Sequence, residues 1–160
     1  MRNNLKALVL HSIIVVVSFI LLIIFVATGP TLGKYTTNII SRLVLVILLI
    51  ISYVYMGTFL DINKDKRYDF FVGSIIAIIG IGLWIYTFFI SGKNLLEVPI
   101  ELSEYWILFN VYYTPFTMIY FLLSIPVTPL LSLCTNLFPS LLMGLGLMFK
   151  RLRIRLREKI

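Results

Sequence analysis

Charge is what this chain has least of. Only 13% of its 160 residues are Asp, Glu, Lys or Arg, about half the share found in an ordinary soluble domain. There is one cysteine, Cys134, which excludes an intrachain disulfide framework and any multi-cysteine metal site. There is one histidine, His11. Long polar or low-complexity stretches are missing, so no separate soluble domain is expected. The sequence holds no Walker motif, no HExxH and no GxSxG, and shows no inverted repeat. No Asp or Glu falls inside an apolar run. That argues against an ion-coupled carrier, which generally keeps an intramembrane acid or lysine as its switch.

What the chain has in excess is apolar side chain. Hydrophobic residues make up 60% of it and the mean hydropathy is +1.02. A soluble core of this size does not need so much Ile, Leu, Val and Phe, so lipid is the expected solvent. In a soluble protein the net charge of +7 would point to nucleic acid. Here the positive-inside rule and anionic lipid account for it, and neither a nucleic-acid partner nor a cofactor is expected.

Residues 7–28 form the first apolar run, too long for a signal-peptide core and long enough to span, and Gly29-Pro30 stops it. A second span is expected over 39–60, with Arg42 shallow enough to reach the interface. A third is expected over 70–90. In it Gly73, Ala77 and Gly80 share one face, a small-residue surface for close helix packing. A fourth is expected over 105–125, opening on the interfacial pair Tyr105-Trp106. Its aromatic side carries Tyr105, Phe109, Tyr112, Phe116 and Tyr120, and its polar side Asn110, Thr114 and Thr117. Pro115 frees the carbonyl of Val111, so a kink is expected there.

No formal charge occurs from 105 to 149, a stretch twice too long for one crossing. It must fold back, and Lys/Arg placement arbitrates how. Four crossings with both termini cytoplasmic put eleven Lys and Arg inside, including Arg2, Lys6, Lys64, Lys66 and Arg67, and leave three outside: Lys34, Arg42 and Lys93. Five crossings give nine against five. The expected fold is therefore an all-α polytopic membrane protein with four transmembrane helices. Residues 126–149, with Pro126, Pro129, Pro139 and Gly144-x-Gly146, would form a proline-broken re-entrant or interfacial hairpin. The alternative makes 126–149 a fifth span.

The tail 150–160 brings Lys150, Arg151, Arg153, Arg155, Arg157 and Lys159. With Phe149, Leu152, Leu156 and Ile160 on one stripe, it reads as a basic amphipathic helix on the anionic inner leaflet. At the other face, Glu97, Glu101 and Glu104 form an outer acidic cluster, on one side of any helix that starts near Pro99. The cluster could collect cations at a pore mouth, though a solvated face is the simpler reading.

Two chemical signatures fail. Cys134 and His11 are the only nucleophile–base pair, but no acid in a span would orient the histidine, so no catalytic residue is assigned. Asp61-Ile62-Asn63-Lys64-Asp65 begins like a calcium loop, but Lys66 stands where glycine is needed and Val72 where glutamate is needed, so no metal is expected. Length and span count resemble the small multidrug exporters. Those proteins carry a glutamate in their first span, where this chain has only His11, and their function is not carried over.

The function expected is that of a non-enzymatic component of a bacterial cytoplasmic membrane. It would act through helix–helix contacts as an accessory, regulatory or protective subunit of a membrane complex, with a membrane protein partner or as a homo-oligomer. The alternative is a small homo-oligomeric channel or carrier for a small solute or ion, with Asn110, Thr114 and Thr117 on its path.

Overall fold

A computed structural model describes residues 2–29, 31, 33, 38–62, 66–92 and 94–157. Lys34, Asn63, Lys64, Asp65, Lys93, Lys159 and Ile160, which figure in the expectations above, lie outside the described residues. Among the described residues all regular structure is helical. The α-helices are α1 (Arg2–Ala27), α2 (Ile39–Gly57), α3 (Ser74–Ile90), α4 (Ile107–Tyr112), α5 (Thr114–Leu123), α6 (Pro129–Thr135) and α7 (Phe138–Arg157). Short 3-10 helices, Lys66–Phe71 and Ile100–Trp106, precede α3 and α4.

Three elements are long and apolar enough to cross a membrane: α1, α2 and the run Pro129–Arg157, in which α6 and α7 follow one another without a sharp bend. The bent pair Ile100–Tyr112 and Thr114–Leu123 makes a fourth if counted as one. Helix α3 is equally apolar but shorter, at 17 residues.

Helices α1, α2 and α3 each bury one narrow stripe, which suits a bundle with an apolar outer surface, whereas the Pro129–Arg157 run is half buried. In α1 the stripe is Ala7, His11, Ile14 and Ser18, spaced by three or four residues, about one turn. In α2 it is Val46, Leu49, Tyr53 and Gly57, and in α3 Ile76, Gly80, Trp84 and Thr87. Asn38 caps α2, its side-chain oxygen accepting from the Ile40 N–H at 2.9 Å. Hydroxyls on the outer faces fold back onto their own helices, as Ser12 does onto the Leu8 carbonyl at 3.1 Å.

Hydrogen bonds fix which ends lie together. Arg2, Asn3 and Lys6 at the start of α1 reach Asp61, just past the end of α2. Lys150 donates to the Leu60 carbonyl at 2.7 Å, and Arg151 pairs with Asp69. All of these mark one end of the bundle, the basic end. At the opposite end Trp106 donates to Ser91 Oγ at 3.0 Å, Trp84 to the Pro129 carbonyl at 2.8 Å, and the Leu130 N–H to the Leu95 carbonyl at 3.0 Å. Thus α1, α2, α3 and the α6–α7 run each pass from one end to the other.

The α4–α5 pair does not. It leaves Trp106 at the acidic end, turns by 111° at Tyr113, and returns to the same end. There Arg42 holds it, with Nε donating to the Leu122 carbonyl and Nη2 to Ser124 Oγ. Ser124 closes α5 in the left-handed region, with φ 56°.

The fold-back therefore falls at 107–123, where a fourth span kinked at Pro115 was expected, while 126–149, expected to fold back or, in the alternative, to form a fifth span, belongs to an element of 29 residues. All three prolines stand in first helical turns, where no N–H is needed: Pro129 in α6 behind the Thr128 cap, Pro139 in α7 and Pro115 in α5. Two residues separate α6 from α7, whereas only Tyr113 separates α4 from α5. The chain breaks at Tyr113, and the Val111 carbonyl accepts instead from the Thr114 hydroxyl at 2.7 Å.

The closest helix contact is between α2 and α7, and glycine makes it. A Cβ on Gly57 would meet the Met143 backbone, and one on Gly146 would meet the Val54 carbonyl and Gly57 Cα. Gly144 lies equally close to Phe70 and the Asp69 carbonyl. The Gly144-x-Gly146 pair thus seats α7 rather than interrupting it.

Candidate functional site

The interior of the bundle is more polar than its surface. Ser132, Asn136 and Ser140 are one turn apart on α6 and the start of α7, all buried, and face α3. Gly73, just before α3, and Gly80 within it receive the last two. Ser140 sits over Gly73, where its Oγ accepts from the Gly73 N–H at 3.3 Å and donates to the Phe70 carbonyl at 2.5 Å. Asn136 Oδ1 and the Tyr113 hydroxyl both sit over Gly80. Of the residues expected to form a packing face, Gly73 and Gly80 are filled from within the chain and Ala77 is half-buried.

At the acidic end this seam opens into a cavity of about 140 Å³ between the descending limb of the hairpin and α6. Its apolar wall is Val98, Trp106, Val127 and Pro129, and its polar groups are Ser103, Asn110, Thr128 and Ser132. Thr128 caps α6, accepting from the Leu131 N–H at 3.2 Å. Ser132 Oγ and Asn110 Oδ1 are buried and have no hydrogen-bond partner, and Asn136 Oδ1, one turn below Ser132, has none either. A buried polar atom without a partner is destabilising by about 1–3 kcal/mol. Here three of them point along one seam.

Below the cavity, at the hairpin bend, lies an aromatic cluster. His11 Nδ1 and the Tyr53 hydroxyl are 2.9 Å apart, and the imidazole stands edge-on to Tyr112 at 4.9 Å between centroids. The Tyr112 and Tyr113 hydroxyls both donate to the Ile76 carbonyl, at 3.2 and 3.4 Å. On the returning limb, Tyr120 and Thr135 share a hydrogen bond of 2.7 Å. His11 is fully buried in this cluster, well inside the chain from the basic end, while Cys134 is exposed on α6.

The remaining expected residues divide. Asn110 lines the cavity. Thr114 and Thr117 lie beyond the break, so the 111° turn separates them from Asn110, and Thr114 spends its hydroxyl on the Asn110 and Val111 carbonyls. Glu97, Glu101 and Glu104 are all exposed near the cavity. The helix there starts only at Ile100 and is 3-10, so Glu97 precedes it and the three acids do not share one helical face.

At the basic end, α7 continues through Arg157 with no break, so the tail is the end of a packed helix and not a separate surface helix. Lys150 and Arg151 turn inward to Leu60 and Asp69, whereas Arg153, Arg155 and Arg157 are exposed. Asp61, the first residue of the calcium-like run, is taken by Lys6 and Arg2, which hold its carboxyl below the usual carboxylate range.

The polar seam is the element that sequence reasoning missed. Its signal was present: Ser132, Asn136 and Ser140 recur every four residues within an uncharged run. No protein-family model matches the chain, and no curated protein and no solved structure is significantly similar to it.

Proposed function

We propose that this chain is a non-enzymatic integral membrane protein of a bacterial cytoplasmic membrane, and that it binds a small polar solute and passes it along the Ser132–Asn136 seam. Four elements cross in this reading: α1, α2, α3 and α6–α7. The α4–α5 pair is a re-entrant hairpin dipping from the outer face. Both termini are cytoplasmic, which leaves the basic end inside and the three glutamates outside. The observation that carries the proposal is the cavity of about 140 Å³ with the unpartnered Ser132 Oγ and Asn110 Oδ1 in it. Irregular backbone at membrane depth is tolerated beside such a wet, protein-lined space. The absence of charge in the seam favours a neutral solute with hydroxyl or amide groups.

The test is flux into liposomes holding the purified protein, with water, glycerol and urea as probes. Transport of one of them, reduced by Asn110→Leu and by Ser132→Val, supports the reading. Properly inserted protein that moves none of the three, or flux indifferent to both changes, overturns it.

A role as an accessory subunit of a membrane complex keeps one observation of its own. On α3, Gly82 faces outward with open space around it, between the exposed Ile78 and Tyr86 one turn away on either side. Such a notch admits a partner helix closely. A second protein at fixed stoichiometry in complexes extracted with mild detergent, lost on Gly82→Leu, would favour that role.

A further inference from the structure

A second cavity, of about 470 Å³, lies at the basic end between the last turn of α2 and the last turns of α7. Lys150, Arg153 and Arg157 line one side of it, three and four residues apart on α7. Phe149 and Ile154 of the same helix lie among them, with Tyr55 and Thr58 coming from α2 and its end, and Tyr55 and Phe149 are each 59% exposed. No carboxylate among the described residues lines it. Among the described residues, the acids of this end are engaged elsewhere: Asp61 with Arg2 and Lys6, and Asp69 with Arg151. Lys150 gives one N–H to the Leu60 carbonyl and keeps the others, and no ion pair ties Arg153 or Arg157 among the described residues.

Three cations beside an aromatic wall, at the depth where a span ends, match an amphiphile whose head is anionic. A soluble anion would need the cations alone. A neutral lipid would leave them unmatched. Guanidinium groups pair with phosphate oxygens in two-pronged fashion, and Arg153 and Arg157 stand one turn apart on the same face. We infer that the α2–α7 groove is a discrete binding site for one anionic phospholipid, with its phosphate at Arg153 and Arg157 and an acyl chain along Tyr55 and Phe149. The site rests on the reading of the chain as a membrane protein with its basic end at the headgroups. It does not depend on solute passage.

The test counts lipids retained by the full chain released from nanodiscs of equal parts phosphatidylglycerol and phosphatidylcholine, by native mass spectrometry. One phosphatidylglycerol should stay on the wild type. Arg153→Gln and Arg157→Gln should each weaken retention by about fivefold. Arg155→Gln, the same charge change on the same helix outside the groove, should leave it intact. Equal losses in all three variants would overturn the inference in favour of diffuse attraction to the leaflet. Displacement of the lipid by millimolar inorganic phosphate would overturn it in favour of a soluble-anion site. Failure of the chain to insert into liposomes would overturn both this site and the membrane reading, whereas insertion with lipid counts indifferent to the variants would overturn this site alone.

Discussion

Arg151 and Asp69 form a two-pronged ion pair, with Nη2 at 2.8 Å from Oδ1 and Nε at 3.1 Å from Oδ2, and the Asp69 side chain is only 1% exposed. It joins the last helix to the turn that launches α3. Both charges are largely out of water, so each depends on the other.

Removing one partner of such a pair leaves a buried charge and is destabilising by about 3–5 kcal/mol. Asp69→Ala should lower the melting temperature in detergent sharply. The double change Asp69→Ala with Arg151→Ala should cost much less than the sum of the two single changes. Additive losses would show that the pair is not coupled.

Two glycines on adjacent helices should respond in opposite ways. A Cβ on Gly57 meets the Met143 backbone carbonyl group, so Gly57→Ala should destabilise by about 1–3 kcal/mol. Gly82 has open space around it, so Gly82→Ala should be neutral or stabilise by up to about 1 kcal/mol, because alanine is the better helix former. Thermal unfolding of the two variants side by side checks this.

The cavity residue Ser132 separates stability from function. Its hydroxyl has no partner, so Ser132→Ala should leave stability unchanged or raise it by about 1 kcal/mol. Solute flux should fall. A stability loss with unchanged flux would mark the serine as a packing residue.

The hairpin predicts a labelling pattern that a straight span does not. In a Cys134→Ala background, Ser103→Cys and Ile125→Cys should react with an impermeant maleimide from the same face of sealed vesicles. Arg157→Cys should react from the other. A straight crossing over 105–125 would put positions 103 and 125 on opposite faces.

Acid should loosen the Asp61 cluster only below the ordinary carboxylate range. Lys6, 2.7 Å away, and then Arg2 hold the Asp61 carboxyl below the usual range. A depressed acid contributes stability that is full above its unfolded pKa, near 4, and is lost as pH falls through the lower folded value. Melting temperature followed from pH 6 downward should therefore drop less steeply below about pH 4 in Asp61→Asn than in the wild type.

Much of this architecture is legible from residue order, because the longest helices are unbroken apolar runs. The helical character and the several membrane-length elements follow from composition and spacing. The place of the fold-back does not. Residues 105–125 and 126–149 are both uncharged, so counting Lys and Arg sees only their sum and cannot tell which half returns. Proline number misleads for a related reason: Pro115, Pro129 and Pro139 all stand in first helical turns, yet only the junction at Tyr113 bends sharply. The cavity needs Asn110 and Ser132 to meet from two elements, and no local pattern reports that.

The run from Pro129 to Arg157 has a mechanical meaning beyond its length. It is held against α2 most tightly at Gly146, about 21 Å from Ser132 and about 16 Å from Arg157 at helical rise. With no room for a Cβ at Gly57 or Gly146, this half of the run cannot turn about its own axis without parting from α2.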